Sequence, residues 1–204
     1  MRYLILLAMG LCFFHSQAQD QIKDSKGEWL VTNQFGIATL EADNFFKVNA
    51  SVFEGLLGRE FFLNKRSSII TGLEFLRVRG DFTDAFGSQL FINNNHINLP
   101  VSYRFYSSEK APLVMYGDIG AYGAYLYKSE IENALTNSDN EETGLGLNFG
   151  LQVNLGLKYK LDDDYSFTLG FRYKSDFASS YDDSEQQFEL TDFYAIQLGL
   201  GFNL

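Results

Sequence analysis

Ser102, His96 and Glu74 are the side chains of this sequence from which a nucleophile, a base and an orienting acid could be assembled. That chemistry needs the base within hydrogen-bond reach of the hydroxyl. His96 and Ser102 share one alternating stretch, however, and six residues of extended chain span roughly 20 Å at 3.3 Å per residue. They cannot meet along that stretch, and Ser88 or Ser107 would need an unusual loop to reach the ring. The expectation is a histidine satisfied at a loop edge and a protein that is not an enzyme. Two acidic runs, "NSDNEET" (137–143) and "SSYDDSEQQFE" (179–189), could hold Ca²⁺ loosely, but neither has the spacing of a defined calcium loop. They read as solvated loops. Glycines recur at period two and form no phosphate cradle, so no cofactor is expected.

A second set of polar residues is larger and more regular. Glu60, Glu74, Arg104, Asp118, Lys158, Lys160, Arg172 and Lys174 each stand in a run where polar and apolar residues alternate. Because successive strand side chains point to opposite faces, the alternation says what must position them. In "GLGLNFGLQVNLGLKYKL" (144–161) every odd position is apolar, while nearly every even one is glycine, an amide or lysine. Tyr165, Phe167, Leu169, Phe171 and Tyr173 oppose Ser166, Thr168, Gly170, Arg172 and Lys174 in the same way. So do Tyr194, Ile196, Leu198, Leu200 and Phe202 against Gln197, Gly199, Gly201 and Asn203, and Ile97, Leu99, Val101, Tyr103 and Phe105 against His96, Asn98, Ser102 and Arg104. Noisier alternation over 68–80 and 113–128 and weaker strands at 29–40 and 50–63 bring the count to eight.

The connections alternate too. Tight turns are expected at Asn64 to Ser67, Ser107 to Pro112 and Asp162 to Asp164, with long polar excursions at about 41–49, 81–95, 129–143 and 176–188. This is the rhythm of an antiparallel up-and-down barrel. Eight strands enclose a space just wide enough for side chains, which eight columns of Leu, Phe and Tyr would overfill, whereas the small polar face fits it. Polar inside and apolar outside means that the solvent is lipid. Aromatics sharpen the reading: Phe61, Tyr103, Phe105, Tyr159, Tyr165 and Phe167 fall beside the short turns, and Tyr125, Tyr127, Tyr173 and Tyr194 beside the long excursions, as two interfacial belts would require. The soluble alternative is a secreted barrel or sandwich with the apolar face inward.

Residues 1–18 read as a cleavable secretory leader, with Arg2 before an apolar core from Tyr3 to Phe14 and small residues at Ser16 and Ala18. The barrel domain is then 19–204. Cys12, the only cysteine, would leave with the leader, so neither a disulfide nor a lipid anchor is expected. The full chain has 16 basic and 26 acidic residues, a net charge of −10. Such a balance argues against nucleic acid as a partner.

The stretches "TGLEFLRVRGDF" (71–82), "INLPVSYRFY" (97–106), "YGDIGAYGAYLY" (116–127), "GLNFGLQVNLGLKY" (146–159) and "AIQLGLGFNL" (195–204) resemble the small eight-stranded outer-membrane barrels of the OmpA/OmpX and PorT-like type, over essentially all of 19–204. Many members of that group finish on an aromatic residue; here Leu204 is last, with Phe202 two places before it. The resemblance implies an all-β, eight-stranded antiparallel transmembrane barrel of the Gram-negative outer membrane, with lipid and lipopolysaccharide around it. It also allows a role in envelope assembly or secretion, with an envelope protein as partner. The expected function is structural or interactive, through the outer loops of a monomer. A narrow small-solute channel is the alternative, and a lipid-modifying enzyme a third. The eight inward charges are expected to form a salt-bridged network filling the lumen, with a polar pathway as the competing reading, and the acidic loops could bridge divalent cations to lipopolysaccharide.

Overall fold

The computed structural model describes residues 27–42, 46–83, 88–108, 111–133, 138–162, 164–180 and 188–203. The proposed leader, residues 1–18, lies outside them. Eight strands follow in order: β1 Glu28–Ala42, β2 Phe46–Asn64, β3 Ser67–Thr83, β4 Gln89–Tyr106, β5 Leu113–Asn133, β6 Ser138–Lys160, β7 Tyr165–Ser180 and β8 Phe188–Phe202. Each pairs antiparallel with its sequence neighbours, and β8 returns to β1 from Trp29↔Phe202 to Ala42↔Phe188, closing the barrel. Closure leaves no sheet edge, which is what allows strands to lie in hydrocarbon.

The apolar columns face outward. On β6 Leu147, Phe149, Leu151, Val153, Leu155, Leu157 and Tyr159 are all exposed, while Asn148, Gln152, Asn154 and Lys158 between them are buried. The same sorting holds on β7 and β8, where Phe167, Leu169, Phe171, Ile196, Leu198 and Leu200 are about half exposed. Burying such columns in water would be favourable, so leaving them outside is stable only against an apolar solvent. Phe61, Tyr103, Phe105, Tyr159, Tyr165 and Phe167 ring the end with the tight turns; Tyr125, Tyr127 and Tyr194 are exposed toward the other end.

Tight turns are set by local hydrogen bonds. Asn64 Oδ1 accepts from the Arg66 amide at 2.8 Å, and its Nδ2 donates to Ser67 Oγ at 2.6 Å. Asp162 Oδ1 accepts from the amides of Asp164 and Tyr165 at 2.9 and 2.7 Å. Both are side-chain substitutes for backbone turn bonds.

The long excursions are the main correction to the sequence reading. Most of 41–49, 81–95 and 129–143 is strand, as are 176–180, and β5 and β6 run 21 and 23 residues, where roughly 9–11 suffice to cross a bilayer. Beyond the lipid the outward face becomes polar, so hydrophobic alternation disappears while backbone pairing continues. Residues skipped by the pairing, Tyr127 on β5 with Gly144 and Leu145 on β6, Phe177 on β7 and Thr191 on β8, mark bulges in these extensions. Above Tyr127 the inward parity of β5 changes, from Leu126 to Ser129. Opposite it Gly144 has φ +73°, a left-handed conformation that glycine adopts without steric cost.

Candidate functional site

The inward side of the barrel wall places two ionic clusters in the lumen, one nearer each end. Toward the long hairpins, Glu54 of β2 and Glu74 of β3 face Arg172 and Lys174 of β7. Arg172 Nη1 lies 2.6 Å from Glu74 Oε1 and 3.5 Å from Glu54 Oε2, and Lys174 Nζ donates to Glu74 Oε2 at 2.5 Å and also to Glu54. Gln34 fits between the sides: with its amide turned over, the nitrogen lies 2.5 Å from Glu54 Oε2 and the oxygen 3.0 Å from Arg172 Nη1, the orientation that satisfies both ends. Asn98 Nδ2 adds a bond to Glu54 at 3.2 Å. The Lys174 ammonium lies 4.9 Å from the centre of the Tyr122 ring and 5.8 Å from that of Phe193.

Toward the tight turns, Arg104 of β4 grips Asp118 of β5 with both arms, Nε to Oδ1 at 2.6 Å and Nη2 to Oδ2 at 2.8 Å. This fork geometry is the strong form of the pair. The Arg104 guanidinium also lies 3.5 Å from Glu60 Oε2 and 4.0 Å from the Tyr116 ring centre. Lys158 of β6 joins Glu60 at 3.1 Å and also donates to Glu28, while Glu60 accepts from Tyr106 and, at 2.5 Å, from Ser68. Asn154 connects toward the other cluster by donating to Asp118 at 3.2 Å and to Gln197 at 2.9 Å.

Of the eight charges expected in the network, Glu60, Glu74, Arg104, Asp118, Lys158, Arg172 and Lys174 are buried and ion-paired in these two clusters. Lys160 is not: its side chain is exposed at the rim and borders an open pocket with Asp162, Asp164 and Asn203. Its strand parity points inward, but it is the last residue of β6, where the lumen opens. Glu54 and Glu28, both buried, complete the clusters and were missed. Glu54 carries the parity signal of Glu60, and Glu28 lies one residue before the expected start of its strand.

The inward face is also less uniformly small and polar than expected. Leu40, Val48, Ile92, Leu126 and Phe188 pack together with Phe82 and Ile131 toward the long hairpins. A second apolar group there includes Leu76, Val78, Leu190 and Phe193. At the tight-turn end Tyr106, Val114 and Tyr116 pack with Phe62 and Ala111. Glycines make room for the rings: a Cβ at Gly156 or Gly170 would stand 2.6 Å from the hydroxyl oxygen of Tyr116. Between these layers, the cavity beside Arg104, Asp118, Arg172 and Gln197 measures about 10 Å³, at the lower limit for one water.

His96 also departs from expectation. It is a buried lumen residue within β4 rather than a residue at a loop edge, and neither ring nitrogen has a hydrogen-bond partner in the protein. Ser102 Oγ accepts from Gln152 at 2.6 Å, and Glu74 is held by Arg172 and Lys174. Among the described residues no three of His, Cys, Asp and Glu are placed to hold a metal ion.

A closed eight-stranded wall, apolar outside and ionic within, defines a small outer-membrane β-barrel protein. The family model for the outer membrane protein beta-barrel domain matches residues 4–203; the chain belongs to that family, and its place is the outer membrane. Its fold is similar to that of Neisserial surface protein A (NspA), at 12% identity over 86% of this chain and 97% of that one, with a TM-score of 0.51. It is likewise similar to the outer membrane protein OprG from Pseudomonas aeruginosa, at 11% identity over 88% and 96% of the two chains, with a TM-score of 0.53. No curated protein matches the sequence significantly.

Proposed function

We propose that the barrel is a non-conducting, non-enzymatic scaffold, a monomer whose outer hairpins bind an envelope protein partner in assembly or secretion, in the manner of PorT-like barrels. Residues 1–18 are its export leader. The observation that carries the reading is the filled lumen. Ionic clusters and apolar layers succeed one another between the two ends, and the cavity between them, at about 10 Å³, is far too small for a solute. Charges paired with one another in such a space leave no hydrated path for ions, and each is held in place because an unpaired buried charge is costly. Short turns with long hairpins opposite orient the barrel, tight turns to the periplasm and hairpins outward. The hairpin of β5 and β6, with Glu130, Glu132, Glu141 and Glu142 beyond the Tyr127 bulge, is then an acidic surface offered to the exterior. Outer connections are where such folds carry recognition.

Planar-bilayer recording tests this. The folded protein is expected to give no steady current, and Arg104→Ala, which unties Asp118 and loosens Glu60, is expected to give at most flickering events. A steady wild-type current that changes with Arg104→Ala would overturn the closed scaffold in favour of a channel.

A further inference from the structure

Most cations of the wall are neutralised where they stand. Four are inside, in the clusters. Outside, Lys47 is paired with Glu41 at 2.9 Å, and Lys128 with Glu130 at 2.6 Å and Glu141 at 3.2 Å. Near the tight turns Arg59 is stacked against Trp29 and Phe61, its guanidinium 5.5 and 5.3 Å from their ring centres.

Arg77 and Arg79 are different. They occupy consecutive outward positions of β3, both exposed, and neither makes an ion pair among the described residues. Among the described residues each donates through Nε, Arg77 to Asn95 Oδ1 at 3.1 Å and Arg79 to Asn93 Oδ1 at 3.4 Å, and Arg77 also acts on Glu130 through its charge. With Nε tied to an amide, the two terminal nitrogens of each fork have no hydrogen-bond partner among the described residues and can serve another acceptor.

Their place along the wall is as informative as their charge. Below them the outward residues of β3 and β4 are Leu73, Phe75, Ile97, Leu99 and Val101, an apolar track at least partly exposed throughout. On the rung of Arg77, Phe53 stands on one side and Asn95 on the other, so on the β4 side the apolar track gives way to the amides of Asn95 and Asn93, with Phe91 the next exposed apolar side chain. Just above, Arg79, Phe91, Asn93, Glu130 and Glu132 line an outward groove of about 240 Å³. Glu130 is occupied there, accepting from Lys128 and, at 2.6 Å, from Asn93 Nδ2, and these bonds hold its carboxyl below the usual carboxylate range. Asp81, two residues beyond Arg79, accepts from Gln89 at 3.5 Å. The remaining carboxylates make the groove unsuited to a polyanion but compatible with one phosphate at the arginine edge and neutral sugar beside it.

We propose that Arg77 and Arg79 form a docking site for the phosphorylated headgroup of an outer-leaflet glycolipid, its acyl chains lying on the apolar track below. Arginine forks match phosphate oxygens two at a time, and long cationic side chains at the edge of an apolar band reach the headgroup layer without entering hydrocarbon. The site rests on the outward placement of the long hairpins and is independent of whether the lumen conducts.

The test uses the folded barrel in phosphatidylcholine nanodiscs, titrated with bisphosphorylated lipid A, with the same lipid after phosphate removal, and with inorganic phosphate. Wild type is expected to bind the phosphorylated lipid roughly tenfold more tightly than the dephosphorylated one. Arg77→Gln with Arg79→Gln is expected to abolish that preference, Arg77→Lys with Arg79→Lys to retain part of it, and Arg59→Gln at the opposite rim to leave it intact. Heat-modifiable gel migration checks that each variant is folded. The proposal is overturned if wild type does not discriminate between the lipids, if the glutamine pair discriminates as wild type does, or if inorganic phosphate alone displaces the lipid completely. A glutamine pair that fails to fold leaves the wild-type lipid ratio and the lysine pair to decide.

Discussion

In the cluster toward the long hairpins two cations from one strand, Arg172 and Lys174, each reach both Glu54 and Glu74, whereas in the cluster toward the tight turns charges from five strands join in a chain from Glu28 through Lys158 and Glu60 to Arg104 and Asp118. The first arrangement is a closed square of two positive and two negative groups, and every member depends on two others. The second arrangement has more hydrogen bonds from neutral groups. Ser68 and Tyr106 serve Glu60, and Ser166 serves Glu28 beside a pocket open at the rim. Alternation with neutral donors makes the chain tolerant where the square is not.

The largest effect is therefore expected in the square. Lys174→Met leaves Glu54 and Glu74 sharing Arg172, and uncompensated buried charge costs about 3–5 kcal/mol. Urea unfolding of the refolded barrel, followed by the single tryptophan, Trp29, measures it. Adding Glu54→Gln should return a substantial part of that loss, because the cycle removes the orphaned carboxylate along with its partner. A double variant no better than Lys174→Met alone would show that the square does not act as one unit.

Lys158→Met should cost less, about 1–3 kcal/mol by the same measurement. Glu60 keeps Arg104, Ser68 and Tyr106, and Glu28 keeps Ser166 beside the open pocket. Equal losses for Lys158→Met and Lys174→Met would erase the distinction between chain and square.

How the two clusters read in the sequence follows from the same construction. Arg172 and Lys174 were legible because β7 alternates cleanly: its outward partners Phe171 and Tyr173 are aromatic, so parity alone assigns the cations inward. Arg104 and Lys158 were legible for the same reason, and Asp118 because the register that puts Met115, Ile119 and Tyr125 outward turns it inward even in a noisier stretch. Glu54 has the same even parity as Glu60 on β2, but Val52 and Leu56 inward as well as Phe53 and Leu57 outward make the alternation around it weak. Pairing partners across the lumen were beyond reach altogether, because alternation gives direction without height or azimuth. Strand ends were read too short because hydrophobic alternation reports the lipid boundary, while the hydrogen-bonded ladder ignores it. His96 departs from expectation for that reason: clean alternation begins in its stretch, while the strand itself starts at Gln89.

The smallest effect is expected at Lys160, and it tests where the lumen ends. Lys158 and Lys160 lie two residues apart on one face of β6 and are chemically identical, yet the first is buried between two glutamates and the second is exposed. An exposed ammonium loses little hydration in the folded state, so Lys160→Ala should shift unfolding by no more than about 0.5 kcal/mol. It should also respond to added salt less than Lys158→Met does, since screening reaches surface charges in both states and buried pairs in neither the same way nor to the same degree. A loss at Lys160 comparable to that at Lys158 would mean that the tight-turn rim closes over Asp162 and Asp164 and that the chain of charges extends one link further than the geometry places it.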